Sequence, residues 1–208
     1  MAGTSPAMTS NETPPMAAPK ILVLPGTARI GSNNIKLAAL AVKELTLIDA
    51  EVTRISLSDY PLPIYEDDLE SRTGPPANAV RLKQMMMAHQ GVLITSPEYS
   101  ASVTPLLKNA IDWVSRVRER GDPAYAAFKG RVFAIASASP EAGGGLHSLM
   151  ALRQILELGC GALVIPEQVS IPNADDAFDE MDNIIDSHAA HLFRAQLARL
   201  VELARLMN

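Results

Sequence analysis

The sequence predicts a doubly wound α/β domain with a five-stranded parallel sheet of strand order 2-1-3-4-5 and helices on both faces. From Lys20 onward, short apolar segments alternate with longer segments of helical period, which is typical of βαβ units. Most of the short segments are continuous aliphatic strings, as expected for strands buried on both faces. The length of 208 residues suffices for one such domain and is too short for two of ordinary size.

Each element is predicted from its own local pattern. Strands are predicted where short aliphatic runs occur, at residues 21–24, 52–57, 92–95, 132–136 and 162–165. Helices are predicted where apolar residues recur at helical spacing, at residues 33–45, 77–89, 104–118, 146–158 and 181–206. In a sheet of this order, ligands bind at the carboxyl ends of the strands beside the switch in strand order, so the loops after strands one, three and four matter most.

The N-terminal segment differs from the rest in composition. Residues 1–19 are rich in Ala, Pro, Ser and Thr without hydrophobic periodicity, so burial cannot offset the entropy of ordering them. We expect a disordered tail at residues 1–19 and one domain over residues 20–208. An organellar presequence is the alternative, and the absence of arginine from this segment argues against it.

Composition excludes several classes of function. The net charge is -5, and the one basic cluster, around Arg116, Arg118 and Arg120, is interrupted by Glu119, so no nucleic-acid partner is expected. The single cysteine, Cys160, allows neither an intrachain disulfide nor a cysteine-based metal cage, which favours a cytoplasmic location. No apolar run approaches the ~20 residues of a membrane span and no signal peptide is apparent, so no membrane association is expected.

The loop after the first strand is a candidate phosphate cradle. Residues 26–34 join a buried strand to a helix, where free N–H groups and the positive helix end favour an anion. The loop matches neither G-x-G-x-x-G nor the P-loop, so side-chain donors would contribute. The alternative is that Ser32 or Asn33 merely caps the helix. The candidate donors are Thr27, Arg29, Ser32 and Asn34.

The segment after the third strand, residues 96–113, resembles the NADPH-dependent FMN reductase family. That family, which includes quinone, azo-dye and chromate reductases, typically reads P-E-Y-N-x-S-x-P and then L-K-N-A-I-D-W. This chain has P-E-Y-S at Pro97 to Ser100, and L-K-N-A-I-D-W ending at Trp113. Its serine at position 100 replaces the usual asparagine.

The residues of this segment suit a flat ligand. Pro97 fixes its own φ and biases its neighbour toward an extended backbone, which makes a rigid shelf for a ring. We expect the backbone N–H groups of Glu98, Tyr99 and Ser100 to reach the polar edge of that ring, with the Tyr99 side chain in contact. Thr104 is a candidate N-cap, and Pro105, which follows it, suits the first position of a helix.

The loop after the fourth strand completes the resemblance. The family has S-x-S-P-G-x-x-G-G there, and this chain has S-A-S-P-E-A-G-G-G, from which Ser137, Ser139 and Gly144 are candidate cofactor contacts. A flexible glycine turn without a ligand is the alternative. Where the family continues with an arginine, this chain has His147.

The resemblance implies a flavodoxin-like fold, bound FMN, and NADPH or NADH as co-substrate. It implies hydride transfer from NAD(P)H to FMN at N5, then electron transfer to a quinone, free flavin, azo compound or metal oxyanion, with no separate catalytic side chain. It also implies a homodimer or homotetramer. A flavodoxin-type electron carrier without NAD(P)H turnover is the alternative.

Other features are interpreted as structural. Trp113 and Cys160 are expected in the core, Lys108 and Asp112 are expected to form a surface pair, and residues 62–68 are expected to be a solvated loop. His188 and His191 lie three apart on the last predicted helix without further ligands, so no metal site is predicted.

Overall fold

The computed structural model describes residues 17–207, so the predicted tail, apart from residues 17–19, lies outside the described residues. The strands in this range are β1 Lys20–Pro25, β2 Glu51–Arg54, β3 Gly91–Thr95, β4 Val132–Ala138 and β5 Leu163–Ile171. The helices are α1 Asn33–Leu47, α2 Asp67–Thr73, α3 Ala77–Met87, α4 Pro105–Arg116, α5 Leu146–Gln154 and α6 Ser187–Arg205.

The five strands form one sheet of order β2-β1-β3-β4-β5, and every neighbouring pair is parallel. The predicted fold class and strand order are therefore confirmed. In the centre of the sheet, Ile21 of β1 pairs with Gly91 of β3, which in turn pairs with Val132 of β4. This order brings the carboxyl ends of β1, β3 and β4 side by side.

Two apolar layers cover the two faces of the sheet. Because successive side chains of a strand point to opposite faces, Ile21 packs with residues of α1 and α6, whereas Leu22 packs with residues of α3, α4 and α5. Both side chains are fully buried. Burial on both faces explains why the central strands β1, β3 and β4 are mainly apolar runs.

The two outer strands differ from their predicted bounds. β2 ends at Arg54, and Leu57, which was predicted to lie in it, starts a 3-10 turn capped by Ser56. β5 extends to Ile171, because a register shift against β4 lets the edge strand accommodate Pro166 and continue beyond it. Pro166 and the polar residues after it interrupt the apolar run, so an apolar pattern alone does not predict this part of the strand.

Three helical segments also differ. Residues 62–66 form a loop as predicted, and the short helix α2 then begins at Asp67. This helix has no buried residue and was missed for lack of an apolar stripe. The helix after β4 changes to a π-helical turn at Ile155–Gly159. The last helix begins at Ser187 rather than at 181, because Asp186 accepts a hydrogen bond from the N–H of Ala189 and caps it.

The interior and surface expectations agree with the structure. Trp113 is fully buried, and its indole N–H donates to the carbonyl of Pro63 at 2.7 Å. Cys160 is buried as well, and burial raises the pKa of its thiol to about 11. Lys108 and Asp112 form the expected surface pair, with N···O distances of 2.8 Å.

Candidate functional site

A polar cleft of about 180 Å³ lies where the loops after β1, β3 and β4 meet. The three strands are neighbours in the sheet, so their loops form adjacent walls of one space. The lining residues are Arg29, Ser32, Asn33, Asn34, Pro97, Glu98, Tyr99, Ala138, Ser139 and Pro140.

The loop after β1 holds unused hydrogen-bond donors. Ser32 is the N-cap of α1, because its Oγ accepts from the N–H of Asn34 at 3.3 Å. The backbone N–H groups of Ile30, Gly31 and Asn33 find no acceptor among residues 17–207. Such a cluster of free N–H groups at a helix start is suited to an anion.

Arg29 adds a positive charge to this loop. Its side chain is exposed and forms neither an ion pair nor a hydrogen bond with any residue in the described range. Thr27 supports the turn from inside, because its buried Oγ1 accepts from the backbone N–H of Arg29 at 3.2 Å. The loop therefore combines a rigid turn with one unpaired cation.

Asn34 connects this loop to the end of β4. Its side-chain amide donates to the carbonyl of Ala138 at 2.7 Å and accepts from the N–H of Ala138 at 3.0 Å. Its own carbonyl accepts from the hydroxyl of Thr95, at the end of β3, at 2.9 Å. Asn34 is 1% exposed, and most of its hydrogen bonds are made to other residues of the protein.

The loop after β3 contains a tight two-residue turn. Tyr99 and Ser102 exchange two backbone hydrogen bonds of 3.0 Å each, and the residues between them, Ser100 and Ala101, have φ values of 49° and 56°. Two successive positive φ values define a type I′ turn. The N–H of Tyr99 is therefore bonded within the turn, which corrects the expectation that it reaches a ligand. The N–H groups of Glu98 and Ser100 have no acceptor in the described part of the chain.

The same loop ends at the start of α4, as predicted. Thr104 caps the helix by accepting from the N–H of Leu107 at 3.1 Å, and Pro105 is the first helical residue. The hydroxyl of Thr104 also donates to the carbonyl of Gly26 at 2.5 Å. This bond joins the loop after β3 to the loop after β1 and brings the positive end of α4 close to it.

Glu98 connects the loop after β3 to the start of α5. One carboxylate oxygen accepts from the backbone N–H of Ser148 at 3.2 Å, and the other lies 3.1 Å from Nδ1 of His147. α5 begins after Gly145, which has no side chain to cap it, so Glu98 supplies the missing acceptor from another loop. This role of Glu98 was not anticipated from the sequence.

In the loop after β4, only Ser139 of the three predicted contacts lines the cleft. Ser137 is fully buried behind Gly145, and its Oγ has no hydrogen-bond partner among the described residues. Gly144 is required for packing, because its φ is 59° and a Cβ there would lie 2.9 Å from the backbone of Ile171.

The structure thus brings most of the predicted site residues together. Those that line the cleft are Arg29, Ser32, Asn34, Pro97, Glu98, Tyr99 and Ser139. Those that belong to the same loops without lining the cleft are Thr27, Ser100, Ser137 and Gly144.

Sequence reasoning missed the contribution of the loop after β5. The amide of Asn33 donates to the carboxylate of Asp175 at 2.9 Å, across 142 positions of sequence. No local pattern around Asp175 distinguishes it from the other acidic residues of that segment. The contact anchors the base of the loop after β1.

Comparison with known proteins assigns the family. The family model described as NADPH-dependent FMN reductase matches residues 19–176. The chain belongs to this family. Members of the family are oxidoreductases that use FMN and NAD(P)H, so the alternative of a carrier without NAD(P)H turnover is not favoured.

Relatives cover most of this FMN reductase family member. The NAD(P)H-dependent FMN reductase of Pseudomonas aeruginosa is 34% identical over 183 residues, which cover 87% of this chain and 92% of the relative. A quinone reductase of Escherichia coli is 33% identical over 138 residues, covering 66% and 69%. The solved flavoenzyme NAD(P)H:(acceptor) oxidoreductase of Paracoccus denitrificans is 26% identical with a TM-score of 0.69, covering 90% and 97%.

The cleft of this family member fits FMN chemically. Its donors at the loop after β1 and the unpaired Arg29 suit a monophosphate. Pro97 and the free N–H groups of Glu98 and Ser100 suit the polar edge of a flat ring. Within residues 17–207, no helix combines the length and apolar character that crossing a bilayer requires.

Proposed function

We propose that this protein holds FMN in the cleft and uses NAD(P)H to reduce a small-molecule acceptor, with a quinone or free flavin as the foremost classes. Azo compounds and metal oxyanions are further acceptors of the same kind. When bound, FMN supplies the redox chemistry, because it takes a hydride from NAD(P)H and passes the electrons to the acceptor. The observation that carries the proposal is the unpaired Arg29 beside free backbone N–H groups in a polar cleft.

The phosphate end of the site is assigned to the loop after β1. Arg29 forms a charge-assisted hydrogen bond to the phosphate, and Ser32 and the N–H groups of Ile30 and Gly31 supply neutral donors. Asn34 holds this loop against β4 and has one amide hydrogen left for the phosphate. The positive end of α1 adds a favourable field.

The ring end is assigned to the loop after β3. Pro97 forms the shelf, the N–H groups of Glu98 and Ser100 donate to the polar edge, and Tyr99, which is 47% exposed, contacts the ring. Ser139 closes the opposite side of the cleft.

Three predicted contacts are assigned a supporting role. Thr27 fixes the turn before Arg29, Gly144 lets the loop after β4 pack against β5, and Ser137 lies behind Gly145. These residues shape the walls that FMN contacts.

A titration and an assay test the proposal together. Purified protein is expected to quench FMN fluorescence on binding, and to oxidise NAD(P)H when ferricyanide, a benzoquinone or excess FMN is supplied. If the protein binds FMN but does not oxidise NAD(P)H, whichever of these acceptors is supplied, it is an electron carrier instead. Retention of flavin through gel filtration favours a quinone or xenobiotic over free flavin as the acceptor.

We also propose that the protein is a homodimer or homotetramer. Apolar side chains lie exposed on α5 and the turn after it, with Met150 60% exposed and Leu158 82% exposed. Sedimentation velocity tests the proposal, and a monomer at micromolar concentration would contradict it.

A cytoplasmic location and a dispensable N-terminal tail complete the proposal. The sole thiol, Cys160, is buried and unpaired, which suits a reducing compartment. A chain starting at Lys20 is expected to unfold at the same temperature as the full chain, and a lower temperature would contradict the division of the chain at residue 20.

A further inference from the structure

A glutamate–histidine pair joins the lining of the cleft to α5. Glu98 lines the cleft, and one of its carboxylate oxygens lies 3.1 Å from Nδ1 of His147. The other oxygen accepts from the N–H of Ser148, so the carboxylate is held from two sides. A fixed carboxylate at Nδ1 orients the imidazole ring and places the other ring nitrogen away from the pair.

The other nitrogen of His147 is available. The side chain is 64% exposed, and Nε2 has no hydrogen-bond partner among residues 17–207. Within the same range, Glu98 is the charged side chain in contact with the ring, and α5 contributes no second ionisable contact. His147 can therefore exchange a proton with solvent at Nε2 while Glu98 holds Nδ1.

Reduction of a quinone needs such a proton. The balanced reaction is quinone plus NAD(P)H plus H⁺, giving hydroquinone and NAD(P)⁺, so each turnover transfers two electrons and consumes one proton. A one-electron acceptor such as ferricyanide behaves differently, because two ferricyanide ions take the two electrons and one proton is released.

We propose that the imidazolium form of His147 is the general acid that delivers this proton, from Nε2 to an oxygen of the bound quinone. The ring keeps its other hydrogen on Nδ1 against Glu98, which is its positioning residue. The proton is replaced from solvent at the same nitrogen. The assignment rests on the proposed function. General acid catalysis by a positioned imidazole contributes typically ~10²–10⁴-fold to a rate.

Arginine at position 147 separates a structural role from an acid role. An arginine in place of His147 could still pair with Glu98, because its guanidinium is a cation with several donors. It could not release a proton at neutral pH. A purely structural role of His147 is therefore satisfied by arginine, whereas an acid role is not.

The test compares two acceptors in four proteins: wild type, His147→Arg, His147→Gln and His188→Gln. His188 is an exposed histidine on α6 outside the cleft and serves as the matched control. With a benzoquinone, both His147 variants are expected to lose kcat by about 10²-fold. With ferricyanide, all four proteins are expected to turn over equally.

The comparison of acceptors has two decisive outcomes. Full quinone turnover in His147→Arg would overturn the assignment, and so would an equal loss of turnover with ferricyanide, because ferricyanide reduction consumes no proton. A wild type that oxidises NAD(P)H with neither acceptor would overturn the proposed function itself and the assignment with it.

A measurement without turnover tests the pair directly. Nitrogen-15 NMR of the cofactor-free protein is expected to show neutral His147 with its hydrogen on Nδ1, and Glu98→Gln is expected to shift that hydrogen partly to Nε2. A wild-type ring that already carries its hydrogen on Nε2 would contradict the pairing.

Discussion

Asn34 and Ala138 are joined by two hydrogen bonds across the loops that follow β1 and β4. The amide donates at 2.7 Å and accepts at 3.0 Å, so both polar atoms of the side chain meet a backbone partner. The residues are 104 positions apart in the chain and both face the cleft. One buried side chain therefore sets the distance between two walls of the proposed cofactor site.

Replacing Asn34 is expected to destabilise the protein in a graded way. Asn34→Asp places a carboxylate oxygen against the carbonyl of Ala138 at a buried position and should lower the free energy of unfolding by about 3 kcal/mol. Asn34→Ala should cost about 2 kcal/mol, because two backbone groups lose their partner. Urea denaturation without cofactor measures both. Asn78→Ala, which removes one exposed bond to Pro61, is the control and should cost at most about 0.5 kcal/mol.

Serine at position 100 is expected to be suboptimal because of its backbone. Its φ of 49° lies in the left-handed region, which glycine and asparagine tolerate better than other residues. Ser100→Gly and Ser100→Asn should therefore raise the free energy of unfolding, by up to about 1 kcal/mol. The family typically has asparagine at this position. The left-handed backbone of the turn explains this preference without a side-chain contact to the cofactor. Ser100→Ala keeps the Cβ and should give no gain, so a gain as large as that of Ser100→Gly would contradict the explanation.

Gly145 is expected to tolerate no side chain. Its φ is 86°, and a Cβ would lie 2.0 Å from the Oγ of Ser137. Gly145→Ala should therefore cost at least about 3 kcal/mol, from backbone strain and overpacking together. Ser137→Gly in the same chain should recover part of the loss, since it removes the clashing hydroxyl. Gly143→Ala, where a Cβ meets open space, is the control for thermal unfolding, and an equal loss there would contradict the steric explanation.

Local patterns predicted the central strands and the start of α4, because each depends on neighbouring residues. Thr104 and Pro105 signal a helix start on their own, and the aliphatic run of β3 needs no partner to be recognised. These elements also place the loops that form the cleft. The sequence was therefore sufficient to predict which loops meet, although not the hydrogen bonds between them.

The missed features depend on partners distant in the chain. The sequence motif indicates that Glu98 contributes to ligand binding. In the structure its carboxylate caps α5, and this contact forms only when the sheet brings the two loops together. The hydrogen bond of Asn33 to Asp175 joins the start of α1 to the loop after β5, 142 positions away in the chain. β5 was shortened in the prediction because a strand that passes through Pro166 needs the register shift against β4, which no local pattern records.

A buried lysine should give the protein an acid-sensitive stability. Lys83 of α3 has no exposed side-chain surface, and its ammonium contacts the carboxylates of Glu119 and Asp122. The hydrogen bond from Lys83 lowers the pKa of Asp122. Because the pKa is lower in the folded state than in the unfolded state, the stabilisation is present above the ordinary aspartate range and is lost as pH falls through the folded value.

Asp122→Asn is therefore expected to flatten the acid side of the stability profile and to lower the urea midpoint at neutral pH. The urea midpoint measured across the acidic range tests this. Asp68→Asn, at an exposed position without an ion pair among the described residues, should leave the profile unchanged. An Asp122→Asn profile as steep as that of wild type would contradict the coupling to Lys83.

Arg29 and Ser32 are expected to bind the FMN phosphate in separable ways. Arg29 is exposed and unpaired within residues 17–207, so Arg29→Ala should leave the stability of the cofactor-free protein unchanged. It should weaken FMN binding by about 1.5–3 kcal/mol, which is roughly a 10- to 150-fold rise in Kd. Ser32 also caps α1, so Ser32→Ala should lose both FMN affinity and about 1 kcal/mol of stability without FMN.

Fluorescence titration with FMN and with riboflavin separates the phosphate from the ring. Because riboflavin lacks the phosphate, Arg29→Ala should weaken FMN binding and leave riboflavin binding as it is in wild type. Arg118→Ala removes another exposed arginine and should change neither. Equal weakening for both ligands would place Arg29 at the ring instead, and unchanged FMN affinity in both Arg29→Ala and Ser32→Ala would move the phosphate away from the loop after β1.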